Sequence, residues 1–195
     1  VFFLTGMDEH GEKVAEAAAA HGMTPQEWCD SQVTQFTELW RDLDITNDDF
    51  IRTTQPRHGK GVQDFMQKLH DNGYLYKGTY DGYYCTPCET QFTEGDLVDG
   101  KCPDCGREVK VIHEENWFFK LSEFGDKLLA YYDEHPNFIR PQIRENEIRS
   151  FIEGGMHDLS VSRTAFDWGI PLPFDPELVT YVWVDALINY LTALG

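Results

Sequence analysis

Val1-Phe2-Phe3-Leu4-Thr5-Gly6-Met7-Asp8-Glu9-His10-Gly11 opens the chain with an apolar run that meets a glycine and passes into a charged turn. An uninterrupted apolar run of this length predicts a short buried strand over 1–5, ended by Gly6. Outward from it, residues 12–20 are strong helix formers and stop at Gly22. Thr24-Pro25-Gln26-Glu27 carries a helix start in full, with a Thr cap, Pro at the first position and Glu at the third. That helix is predicted to run through Phe36, Leu39 and Trp40, which share one face. Residues 50–53 read as extended. Residues 61–70 return to helical spacing through Val62, Phe65, Met66 and Leu69, stopped by Asn72-Gly73. Strand, helix, helix, strand, helix is an α/β pattern.

The character changes after residue 73. Residues 74–84 are aromatic and β-prone, with Asp81-Gly82 predicted as a hairpin turn. Residues 110–120 are again extended. Ser122 is expected to cap a helix over 123–134 that Pro136 ends. A further helix follows Pro141, carries Ile143, Ile148, Phe151 and Ile152, and stops at Gly154-Gly155. Residues 179–184 read as a strand leading into a helix from about Asp185. The layout is an α/β piece, an inserted β/α module and a return to α/β. Both ends read as cuts within a longer protein.

Within the insert, Cys85-Thr86-Pro87-Cys88 and Cys102-Pro103-Asp104-Cys105 form two matched pairs separated by thirteen residues. A two-residue gap lets a tight turn aim two thiolates at one point, and two such turns close a tetrahedron around Zn²⁺. Disulfides or redox pairs are the alternative, but the doubled motif fits a structural metal site better. Four protein ligands leave no open position, so this metal shapes the chain and performs no chemistry. The fifth cysteine, Cys29, falls in a helical pattern and reads as a half-buried thiol in a reducing compartment.

Net charge is −18, from 34 acidic and 16 basic residues, which argues against a general polyanion-binding surface. Arg140, Arg144 and Arg149 form one local basic cluster, interrupted by Glu145 and Glu147; a solvated helix face is its simpler reading. A hydrophobic fraction of 41% suits a folded domain, and no apolar run approaches the length needed to span a bilayer. No signal-peptide pattern opens the chain, and together these points predict the cytoplasm.

Three places could carry chemistry. The turn 6–11 sets two carboxylates and an imidazole at the carboxyl end of a strand, where α/β sheets bind ligands, and an Asp there suits a cationic amine. A solvated polar turn is the alternative. Trp183, Ala186, Leu187 and Tyr190 make one stripe if a helix covers them, either as core or as an apolar pocket wall with a hydroxyl. Arg163, in Ser160-Val161-Ser162-Arg163, could neutralise a phosphate or carboxylate, with a surface ion pair as the plain alternative.

Taken together, residues 3–11, 50–54, 82–85 with the four cysteines, 160–173 and 181–190 resemble the methionyl-tRNA synthetases, class I aminoacyl-tRNA synthetases, in order along the chain. The resemblance implies a Rossmann-type catalytic domain over 1–72, a connective peptide over 73–178 with a single zinc knuckle at about 85–105, and a return to the catalytic domain over 179–195. It implies that Asp8 holds the α-amino group of methionine, that Trp183, Ala186, Leu187 and Tyr190 form the side-chain pocket, and that Arg163 acts in the carboxylate and phosphate chemistry. Cys85, Cys88, Cys102 and Cys105 would hold structural Zn²⁺. The implied reaction activates methionine with ATP and Mg²⁺ and passes it to tRNA. Met7 stands where the family usually has threonine. The two ATP signature motifs of class I synthetases do not occur in these residues, so this stretch alone is expected to be inactive. A sibling synthetase for a branched aliphatic amino acid, or a non-catalytic zinc-ribbon RNA-binding module, are the rival readings.

Overall fold

The computed structural model describes residues 1–164 and 167–195. Two positions of the 160–173 stretch, Ala165 and Phe166, lie outside the described residues.

The first strand, β1, covers Leu4–Met7 and pairs in parallel with β2, Asp49–Arg52. It starts later than the apolar run and passes through Gly6, which lies opposite Ile51. A Cβ on Gly6 would sit 2.0 Å from the Ile51 carbonyl oxygen, so glycine here lets two backbones approach and does not end the strand. The crossover holds α1, Glu12–Ala20, and α2, Pro25–Asp42. The capping box at Thr24 forms as read: Glu27 N–H donates to Thr24 Oγ1 at 3.3 Å, and Thr24 N–H donates to Glu27 Oε2 at 2.9 Å. The α2 face carrying Phe36 and Leu39 is exposed in this chain. Helix α3, Pro56–Asp71, begins ahead of the expected 61, with Pro56 supplying the first turn.

The predicted hairpin at Asp81-Gly82 does not form. One strand, β3, runs from Leu75 to Cys85 and pairs antiparallel with β5, Lys110–Phe119, through Asp81↔His113 and Gly82↔Ile112. Gly82 serves close packing: a Cβ there would meet the Phe92 carbonyl and the Tyr80 ring, both at 2.8 Å. The short strand β4, Thr90–Phe92, folds back on the end of β3, and the cysteine segment closes the far end of this ribbon. Ser122 is not a cap either. It lies in a 3₁₀ turn over Leu121–Phe124, and its N–H and hydroxyl both donate to Asp158; α4 then spans Gly125–Glu134. Helix α5 covers Gln142–Glu153.

Strand β6, Leu159–Ser160, joins the ribbon on β5. A second sheet orders β7 (Ser162–Arg163), β9 (Asp175–Thr180) and β8 (Pro171–Leu172). The strand expected over 179–184 ends at Thr180, and α6 already starts at Val182 and reaches Thr192. Val182 is buried against Tyr84 and Tyr181, and this packing overrides the β preference of its branched side chain. One apolar core joins Val62 and Met66 of α3 to Leu75, Leu172, Leu178 and Ile188. Among the described residues no helix is long and apolar enough to cross a membrane.

Gly6→Ala is expected to push β1 from β2 and to lower stability by about 1–3 kcal/mol, the usual cost of overpacking. Urea unfolding of the intact protein checks this, and a midpoint equal to wild type would contradict it.

Candidate functional site

The turn after β1 splits its polar residues between inside and outside. Glu9 points inward: its carboxylate accepts from Arg52 Nε at 2.7 Å and from the Thr54 hydroxyl, and its N–H donates to Thr53 Oγ1 at 3.0 Å. Arg52 is held in turn by Asp30 of α2 at 2.5 Å. The Glu9 carbonyl accepts from Trp168 Nε1 at 2.5 Å and from the thiol of Cys29 at 3.6 Å. Cys29 is therefore fully buried, and desolvation, with Glu9 nearby, pushes its thiol up to about 11.

His10 also points inward. Its Nδ1–H donates to Asp185 Oδ2 at 2.6 Å, and His58 Nε2–H of α3 donates to Asp185 Oδ1 at 2.7 Å. His58 Nδ1 meets the Thr192 hydroxyl at 2.7 Å, so α3 is tied to both ends of α6. Asp185 is 0% exposed. Burial alone would raise its pKa, but the bonds from His10 and His58 outweigh that and hold it below the usual carboxylate range. Asp185 and His58 are not among the candidate residues the sequence singles out. The available signal was a carboxylate three residues from Val182 and three from Ile188, on the buried face of an apolar helix, where an unpartnered charge is not tolerated.

Asp8 is the polar residue of the turn left facing outward. It lines a cavity of about 230 Å³ together with Gly6, Ile51, Thr53, Ala186, Asn189 and Tyr190. Water reaches Asp8, yet the protein behind it desolvates the carboxylate, and Asp185 and Glu89 repel its charge. Its pKa is pushed up to about 7, with His10 pulling the other way. The predicted stripe on α6 divides across this cavity. Ala186 and Tyr190 line it, while Trp183 and Leu187 fall on the next face, 50% and 61% exposed. Arg163 is not at the cavity. It is buried on β7, paired to Glu114 at 2.8 and 3.0 Å and stacked 4.0 Å over the Tyr84 ring. Of the two readings of Arg163 by its residue alone, the ion pair is present, though buried and not on the surface.

The sulfurs of Cys85, Cys88, Cys102 and Cys105 all lie within 4.8 Å of one another. Cys85 and Cys105 are 3.6 Å apart and Cys88 and Cys102 3.8 Å, far beyond a disulfide bond of about 2.05 Å. Metal–sulfur bonds of about 2.3 Å in a tetrahedron give edges of about 3.8 Å, so this donor set fits Zn²⁺. Left-handed turns at Glu89 and Gly106 (φ 52° and 70°) follow the second cysteine of each pair.

The family model for class I tRNA synthetases (M) matches residues 1–111 and 108–195. The methionine–tRNA ligase of Caldanaerobacter subterraneus subsp. tengcongensis is 56% identical over 195 residues, covering 100% of this chain and 31% of that protein. The Thermotoga maritima methionine–tRNA ligase is 54% identical over 199 residues, covering 100% of this chain and 32% of that protein. The chain thus spans about a third of the length of these relatives. Mycobacterium tuberculosis methionyl-tRNA synthetase bound by methionyl-adenylate superposes with a TM-score of 0.92 at 44% identity, over 100% of this chain and 39% of that one.

Asp185→Asn removes the negative charge that faces both imidazoles and leaves only one acceptor oxygen for the two of them. The expected loss is about 2–3 kcal/mol, in the range for hydrogen bonds to a buried charge. Urea unfolding at pH 7.5 measures it, and a change below about 0.5 kcal/mol would contradict the clamp.

Proposed function

The chain belongs to the class I tRNA synthetases (M), and from that premise we propose that it supplies the methionine-binding part of a methionine–tRNA ligase. The observation that carries the reading is the cavity with Asp8 at one side and the Ala186/Tyr190 face of α6 at the other. An amino acid has a cationic amine and, here, an apolar thioether chain, and this cavity offers a carboxylate and an apolar wall with a hydroxyl. Trp183 and Leu187 form the outer rim of the same pocket on the adjoining helix face.

In the proposed reaction a methionine carboxylate oxygen attacks the α-phosphorus of ATP. The bond to the bridging oxygen breaks, pyrophosphate leaves, and methionyl-adenylate remains. A ribose hydroxyl of the tRNA's terminal adenosine then attacks the acyl carbon, loses its proton and releases AMP. Mg²⁺ on the ATP phosphates would supply charge neutralisation. The residues of this chain bind and orient. Asp8 accepts from the ammonium group and so fixes the direction of the carboxylate, while the α6 wall excludes water from the side chain. Arg163 has a positioning part in this arrangement, because Glu114 and Tyr84 hold it beside the ribbon; contact with the phosphates would require it to leave Glu114.

We also propose that the four cysteines hold structural Zn²⁺. Phe92, Leu97 and Val109 pack around them as a small core of their own, which supports a distinct knuckle module within the proposed 73–178 insert. The core of Val62, Met66, Leu75, Leu172, Leu178 and Ile188 runs across the proposed boundaries at 72 and 178. Neither ATP motif lies in these 195 residues, so the segment by itself is expected not to form adenylate. Charging of tRNA and the reduced thiols together support the cytoplasm as its location.

The test is methionine-dependent ATP–pyrophosphate exchange by the intact protein; exchange driven equally by isoleucine or valine would sink the reading. Ionised Asp8 is the form that binds an ammonium group. Its pKa near 7 means that binding is strongest above that pH and weakens below it, by up to about tenfold per pH unit. The methionine KM should rise roughly five- to tenfold from pH 7.5 to 6, and Asp8→Asn should abolish that slope while raising KM by about 100-fold. Cys102→Ser should release the metal and lower the unfolding temperature; a metal-free variant with unchanged melting would remove the structural role.

A further inference from the structure

The knuckle and the pocket wall meet at one residue, Glu89, directly after Cys88. Its backbone carbonyl accepts two hydrogen bonds from the start of α6: one from the Tyr181 hydroxyl, and one from Trp183 Nε1 at 3.0 Å. The carbonyl is available for both because Glu89 adopts a left-handed conformation, φ 52°, which turns the chain out of the knuckle. Its carboxylate lies over the N-terminus of α1, where a Cβ on Gly11 would come within 2.3 Å of Glu89 Oε1. Gly11 itself has φ 104°, so glycine is required there on two counts. Two further contacts fix the same corner: Lys110 of β5 bonds Glu12 at 2.7 Å, and the Thr86 hydroxyl reaches Glu12 at 3.4 Å.

We propose that Glu89 is a positioning residue for the amino-acid pocket, its main-chain carbonyl setting the place of Tyr181 and the orientation of the Trp183 indole. This deepens the reading of the cavity as a methionine site and rests on it. The metal knuckle then does more than fold the insert. By fixing the Glu89 turn it fixes the first turn of α6, and with it the pitch at which Ala186 and Tyr190 face Asp8. An indole 50% exposed to water has little packing to orient it, so one hydrogen bond at its nitrogen decides its angle.

The test uses the intact protein labelled with 5-fluorotryptophan, with the Trp183 resonance assigned by its loss in Trp183→Phe. Glu89→Val cannot hold the left-handed turn and moves the carbonyl, whereas Glu89→Gly adopts it freely. Glu89→Val is expected to shift the Trp183 fluorine signal and raise the methionine KM about tenfold, with kcat and the KM for ATP changed much less. Glu89→Gly should give a several-fold smaller change in both readouts. Tyr181→Phe, which keeps the ring, should raise the methionine KM about threefold at full metal content. Equal effects of Val and Gly at position 89 would overturn the proposal in favour of the side chain, as would an unmoved Trp183 signal in Glu89→Val. Absence of methionine-dependent exchange in the wild type would instead defeat the functional reading, while the fluorine signal still reports on the carbonyl link.

Discussion

Everything around the cavity depends on a buried carboxylate with two imidazole partners. Asp185 is inaccessible to water, and an ionised carboxylate in such a place is stable only if both oxygens are satisfied. His10 satisfies one and His58 the other. The three residues come from the turn after β1, the first turn of α3 and the first turn of α6, so one charge fixes the relative position of three elements. The same lock turns the opposite edge of α6, with Ala186 and Tyr190, toward Asp8. It also sets the electrostatics, since the Asp185 charge is among the causes that push Asp8 up toward neutrality. A cation beside Asp8 would offset that repulsion by favouring its ionised form.

A second buried ion pair organises the insert. Arg163, enclosed under Tyr84, meets Glu114 with two parallel bonds, the geometry for which a guanidinium is suited. It links the second sheet to the long β3–β5 ribbon, whose far end carries the four sulfurs. The ribbon, the knuckle and α6 therefore form a closed circuit: β7 to β5 through Arg163, β3 to the knuckle by continuity, and the knuckle to α6 through Glu89. The net charge of −18 is compatible with this, because the cations that matter are few and already engaged within the fold.

Local signals were legible in the sequence, and long-range ones were not. The Thr24–Glu27 cap and the two cysteine pairs are each complete within a few residues: the cap forms as read, and the four sulfurs come together in an arrangement compatible with Zn²⁺. Asp81-Gly82 misled because the dipeptide that favours a turn also suits a strand where a neighbouring backbone comes close. The start of α6 misled because Val182 and Val184 favour strands in isolation, while burial against Tyr84 and Tyr181 decides the outcome. Ser122 has the residue type of a helix cap, but its N–H and hydroxyl are taken by Asp158. The segments of Asp8, Ala186 and Tyr190 read equally well as a solvated turn and as core, and the family resemblance is what singles these residues out as a proposed site. The cavity they line together is a feature of the fold. The clamp that brings them together is not legible in the sequence, since His10 and His58 lie 175 and 127 residues from Asp185 and no spacing rule joins them.

The central claim is that Asp8 recognises a cationic amine in a cavity whose other wall is α6. Calorimetric titration of the intact protein with methionine, and with its analogue carrying a hydroxyl in place of the amine, tests it most directly. The account predicts that the hydroxy analogue binds at least about 30-fold more weakly at pH 7.5, because a hydroxyl brings no charge to pair with the ionised Asp8 carboxylate. Equal affinity for the two compounds would contradict it.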